Sequence, residues 1–207
     1  MGRDERLAAA RALLRQRTDG DERRSSSAAP AYPVPALLRE LLPQGVRRGG
    51  VGLVRGSSSL LLAMLGEMSR HEAWIALVGL PALGLPAARQ QGVDLARVVV
   101  VPRPAERSAN VVASFVDGMD VVVCGPAAVL TDAERRRLTG RVRDRRAVLL
   151  STGPWPGAAF DLEVPRHRWS GLEPGGGRLR DLHMVVSRRD QGPERRLEVA
   201  PWTRRAG

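Results

Sequence analysis

The sequence predicts an α/β domain: a mostly parallel sheet with helices on both faces, an antiparallel extension at its C-terminal end, and an N-terminal helix set apart. Three observations predict it. Short, nearly continuous apolar runs at residues 52–55 (GLVR), 74–78 (WIALV), 98–101 (VVVV), 120–125 (DVVVCG) and 147–151 (AVLLS) read as strands buried on both faces. Helix-forming segments alternate with these runs, which is the pattern of a parallel sheet covered by helices. After Ser151 the rhythm changes. Residues 161–169, 182–187 and 196–201 alternate in polarity and are separated by Gly175-Gly176-Gly177 and by residues 190–193, as antiparallel strands would be.

Taken in order, residues 3–17 (RDERLAAARALLRQR) favour helix at nearly every position. Leu7, Ala10 and Leu14 share a face with Leu13 beside them, and charges cover the rest. Residues 18–31 (TDGDERRSSSAAPA) are polar and carry Ser and Pro, the character of a tether. The expected division is therefore an arm at 1–17, a linker at 18–35 and a core domain at 36–207. The arm either folds back on its own domain or docks on another molecule, with Leu7, Leu13 and Leu14 as anchors. Residues 35–42 (PALLRELL) read as a short amphipathic helix opened by Pro35 and closed by Pro43 and Gly45. Residues 60–68, 86–91 and 105–118 supply further helices, the last with Val111, Val112, Phe115 and Val116 at helical spacing. Helix 131–143 starts at a capping box, Thr131 with Glu134 three residues on.

The core is built of Leu, Val and Ala, because only seven aromatic residues are present. All 33 basic residues are arginine, and the formal charge is +11. A GC-rich coding composition favours arginine; an acidic partner, nucleic acid or protein, would use it. Arg135, Arg136, Arg137, Arg141 and Arg143, with Arg145 and Arg146, crowd one helix and its exit. Two readings stand: a solvated helix face, or a patch for phosphate backbone or an acidic tail. Cys124 is the only cysteine, so no intrachain disulfide can form, which fits a reducing cytoplasm. No apolar run reaches membrane-spanning length and the N-terminus is charged, so a cytoplasmic protein without a membrane partner is expected. His71, His167 and His183 lie far apart and form no metal-ligand pattern, and no metal or cofactor is expected.

Residues 49–68 carry the outline of a phosphate-binding loop: strand, Gly/Ser turn, helix. Such a loop needs two glycines four residues apart, then Lys and Ser or Thr. Here Gly56 is followed directly by Ser57, Ser58 and Ser59, and the chain has no lysine. The segments LPQGVRRGGVGLVRG, QQGVDLARVVVVP, MDVVVCGP and AVLLSTG, in this order and spacing, resemble the RecA core over roughly residues 37–202. Among RecA-like proteins the shortened chain resembles ImuA, and most of all the short ImuA-prime type; RHRWSGL, GGGRLR and VVSRR near the end add to the likeness.

The resemblance implies a degenerate Walker A loop at Gly56, Ser57, Ser58 and Ser59. It also implies a degenerate Walker B strand, with Gly125 where an Asp would stand. The place of the catalytic Glu reads Gly79-Leu80-Pro81, without a carboxylate. Phosphoryl transfer rests on positioning and charge neutralisation, so three such losses imply a protein that is not an enzyme. Residues 152–159 (TGPWPGAA) are too short for a mobile loop closing over single-stranded DNA. The resemblance therefore implies a non-catalytic adaptor of the DNA damage response, acting in error-prone translesion synthesis. Its implied partners are an ImuB-type inactive Y-family polymerase relative and an error-prone C-family DNA polymerase, with weak nonspecific DNA contact through the arginine face. Two alternatives remain open: a basic nucleic-acid-binding module and a SulA-like inhibitor of cell division.

Overall fold

The computed structural model describes residues 31–170, 172–173, 176–177, 181–189 and 195–203. The predicted arm 1–17, with Leu7, Leu13 and Leu14, lies outside the described residues, as does most of the predicted linker.

A two-residue pair opens the described chain, β1 (Ala31–Tyr32) antiparallel to β2 (Val46–Arg47). Tyr32 and Val34 are buried in the core, so packing begins before residue 36, inside the segment read as linker. Sequence polarity hid this, because a single aromatic near a Ser/Pro tract gives no periodicity. The predicted helix at 35–42 is only a 3-10 turn at Ala36–Leu38. Seven residues between two prolines are too few to recover the cost of nucleating an α-helix. The segment is held instead by burial of Leu38, Leu41 and Leu42.

The strand–helix alternation follows: β3 (Val51–Arg55), α1 (Ser58–Arg70), β4 (Ile75–Val78), α2 (Leu85–Gln90), β5 (Val98–Val101), α3 (Ser108–Gly118), β6 (Val121–Cys124), α4 (Asp132–Arg145) and β7 (Val148–Ser151). Then come β8 (Phe160–Trp169), β9 (Leu172–Glu173), β10 (Gly176–Gly177), β11 (Asp181–Arg188) and β12 (Arg195–Thr203). Eight strands form one sheet in the order β12-β11-β8-β3-β7-β6-β4-β5. The six from β8 to β5 are mutually parallel, and β11 and β12 continue the sheet antiparallel. Gly176 and Gly177, read as turn material, pair with β9 across a short hairpin.

Side-chain alternation sorts the parallel strands onto two apolar layers. Val54, Ile75, Leu77, Val121, Val123, Val148 and Leu150 pack with the Leu- and Met-rich α1. Leu53, Ala76, Val78, Val122, Cys124 and Leu149 pack with Val112, Phe115 and Val116 of α3 and with Leu138 and Val142 of α4. The result is a helix–sheet–helix sandwich, which explains why the strands read as continuous apolar runs. β8 outruns its neighbour: its pairing with β3 ends at Arg55 opposite Glu163, and residues beyond that pair with β11.

Candidate functional site

In open parallel α/β sheets, ligands bind outside the carboxyl ends of the strands. Here that edge is formed by Gly56 and Ser57 after β3, Gly79 after β4, Gly125 after β6 and Thr152 after β7. Backbone atoms fill it. Gly56 has φ +79°, which favours glycine, and a Cβ there would lie 2.5 Å from the Val164 carbonyl oxygen of β8. Gly79 has φ +75°, and a Cβ would strike the Ala128 backbone nitrogen. A Cβ on Gly125 would strike the Gly79 carbonyl oxygen and the Leu80 side chain.

Hydrogen bonds stitch the same atoms together. Gly79 N donates to Val101 O (2.8 Å), Gly125 N to Val78 O (2.7 Å), Ala127 N to Gly79 O (3.0 Å) and Thr152 N to Cys124 O (3.0 Å). The Gly79 and Gly125 turns are thus tied to neighbouring strand ends by backbone hydrogen bonds, and the Gly56 turn lies against β8.

The Gly/Ser turn is likewise committed to its own helix. Ser57 is the N-cap of α1, its Oγ accepting from Leu60 N at 3.2 Å, and Ser58 and Ser59 are the first helical residues. The cation at this end of β3 is Arg55. Its Nε and Nη2 donate to both Asp161 carboxylate oxygens at 3.0 and 2.7 Å, and Glu163 lies 3.8 Å away. The hydrogen bond to Asp161 holds the Arg55 guanidinium pKa above its ordinary value. Arg189 in turn pairs with Glu163 at 2.7 Å. This cross-strand ionic ladder was not foreseen from sequence, because Arg55 lies 106 residues from Asp161 and its members sit in unremarkable strand contexts.

Cys124 is buried at the end of β6, and burial pushes its thiol pKa up to about 12. Among the described residues no cluster of three or more His, Cys, Asp or Glu could hold a metal ion.

Among the described residues, the arginine helix has an ion-paired side and an outward side. The capping box forms: Thr131 Oγ1 accepts from Glu134 N, and the Glu134 carboxylate accepts from Thr131 N at 2.7 Å. That backbone hydrogen bond, with one from the Thr131 side chain, keeps the Glu134 pKa low. Arg135 pairs with Asp132 at 2.7 Å. Arg141 grips Asp117 of α3, donating from Nε at 2.7 Å and from Nη2, and Arg145 Nε donates to the same carboxylate at 3.1 Å. The Arg141 hydrogen bond is the main cause of the lowered Asp117 pKa. Arg136, Arg137 and Arg143 are exposed on the side away from the buried Leu138 and Val142. Of the five predicted arginines, Arg135 and Arg141 are ion-paired within the chain and three face outward. The inner edge of α4 is fixed by Trp155, buried, whose Nε1 donates to Thr139 Oγ1 at 2.9 Å.

Among the described residues no helix is long and apolar enough to cross a membrane. A family model described as the MT3502 N-terminal domain matches residues 40–157, from the end of the first 3-10 turn through the loop after β7. The uncharacterized protein Rv3395c of Mycobacterium tuberculosis (strain ATCC 25618 / H37Rv) is 34% identical over 190 residues, covering 86% of this chain and 87% of that protein.

Proposed function

The chain belongs to the MT3502 N-terminal domain family, and we propose that it is a non-catalytic, RecA-like adaptor of the DNA damage response. In this reading it is a short ImuA-type protein. It works in the cytoplasm in error-prone translesion synthesis, holding an ImuB-type inactive polymerase relative and an error-prone C-family polymerase. The observation that carries the non-catalytic half is the packed carboxyl edge. Phosphoryl transfer needs a phosphate cradle, a metal-binding carboxylate and a carboxylate that orients the nucleophile. At the three corresponding positions stand Gly56, Gly79 and Gly125, each without room for even a methyl group. The mostly parallel sheet with its antiparallel extension supports the RecA-like half.

An adaptor with no nucleotide chemistry works through surfaces, and the one the sequence offers to a protein partner is the arm carrying Leu7, Leu13 and Leu14. The test is copurification of the tagged chain from cells after DNA damage, beside a variant lacking residues 1–29. The reading expects the full chain to bring down a polymerase-related partner, and expects loss in the truncated chain if the arm is the contact. Recovery by both moves the contact to the body of the domain. Recovery of no polymerase-related protein by either overturns the adaptor reading.

A further inference from the structure

We propose that the outward face of α4 seats the phosphate backbone of a nucleic-acid duplex, with Gly140 as the point of closest approach. The inference stands apart from the adaptor reading and rests on that helix alone. Leu138 and Val142 point inward, so Ala133, Arg136, Arg137, Gly140, Arg143 and Asp144, spaced three and four apart and all exposed, share the opposite face. Gly140 sits in the middle of this helix, and nothing lies within 4 Å of where its Cβ would be. Among the described residues no packing calls for it. Glycine is the least favourable helix-interior residue after proline, so the position gives up helix stability with no return inside the fold. A missing side chain between three guanidinium groups leaves a shallow seat where an external backbone can approach the helix closely.

The chemistry of the face selects the occupant. Three arginines stand outward, with Asp144 on their face and Glu134 within Coulombic reach of Arg137, while Arg135, Arg141 and Arg145 are held by Asp132 and Asp117. Guanidinium forks match phosphate oxygens with two parallel hydrogen bonds. A protein partner would be recognised by buried aromatic or aliphatic anchors at the centre of its interface. This face offers none larger than Ala133. Single-stranded nucleic acid would be gripped by stacking on aromatics, and none is present on the face. A duplex held through phosphates needs neither. Arg136 and Arg143 lie about 10 Å apart along the helix axis, close to the rise of three base pairs on one strand.

The test uses the full chain and a short mixed-sequence DNA duplex, titrated across salt concentrations. Binding is expected to weaken with salt at a log–log slope of about −3, set by three neutralised phosphates. Arg136→Ala and Arg143→Ala should each weaken binding roughly tenfold and reduce the slope by about 1. Arg89→Ala removes the same charge from the exposed side of α2, in the other helix layer, and should change neither. Gly140→Gln is the sharpest variant. It should raise Tm by about 2–4 °C through helix propensity and yet weaken duplex binding, because the seat is filled. The proposal is overturned by absence of duplex binding at low salt, or by affinity that Arg136→Ala and Arg143→Ala leave unchanged. It is also overturned if polyglutamate binds as tightly as the duplex through the same arginines, or if Gly140→Gln stabilises the chain without loss of binding.

Discussion

Gly125 shows how a single position can close a site. A carboxylate placed there would have to displace the Gly79 carbonyl and the Leu80 side chain, and the hydrogen bond from Ala127 N ends on that same carbonyl. Gly125→Asp is therefore expected to cost about 1–3 kcal/mol of stability by overpacking, without creating a magnesium site. Chemical denaturation with and without magnesium reads both. Cys124 next to it makes a second residue-scale prediction. With its thiol pushed up to about 12 by burial, it should stay silent to a thiol reagent at neutral pH in the folded chain. It should react as one thiol per chain on unfolding, and rapid native-state labelling would mean that the β6 end opens. Motif reading found that the expected residues were missing at Gly56, Gly79 and Gly125. It could not tell that backbone from β8 and from the β6–α4 loop fills the space they left, because that depends on contacts between segments far apart in the chain.

At the scale of elements, α4 illustrates what pattern reading captures. The capping box was legible from Thr131 and Glu134 alone, since its geometry is local. Thr131→Ala should lower stability by about 1 kcal/mol, seen in thermal or chemical unfolding. The pairing of its arginines was not legible: Asp117 sits on α3, and nothing in the spacing tells that Arg141 and Arg145 would share it. That pairing has a pH consequence. The Asp117 pKa is lowered in the folded chain, so its contribution is fully present above the unfolded value, about 3.9. It is lost as pH falls through the lower folded value. Asp117→Asn should be less stable at neutral pH and show a shallower loss of stability below about pH 4. An unchanged acid limb would remove the Arg141–Asp117 contact from the stability of the fold. The 3-10 turn at Ala36–Leu38 marks the opposite outcome, an amphipathic segment too short to become the helix its pattern suggested.

Across the whole molecule, the six-stranded parallel core and its two-layer apolar packing follow from the continuous Val and Leu runs. The antiparallel continuation follows from the change to alternating polarity after Ser151. The early start of packing at Tyr32 and the Arg55–Asp161–Glu163–Arg189 ladder do not follow from any local pattern, since each is fixed by partners brought in by topology. Together they describe a sheet whose carboxyl edge is occupied by the protein's own backbone. The most direct measurement is thermal unfolding of the full chain at increasing Mg-ATP and Mg-ADP. A site with a dissociation constant well below the added nucleotide would stabilise the fold by about 2.7 kcal/mol at a hundredfold excess. The packed edge predicts that Tm stays where it is at every nucleotide concentration. A saturable rise in Tm, lost in a variant of the Gly56–Ser59 turn, would contradict it and return the chain to the nucleotide-binding proteins.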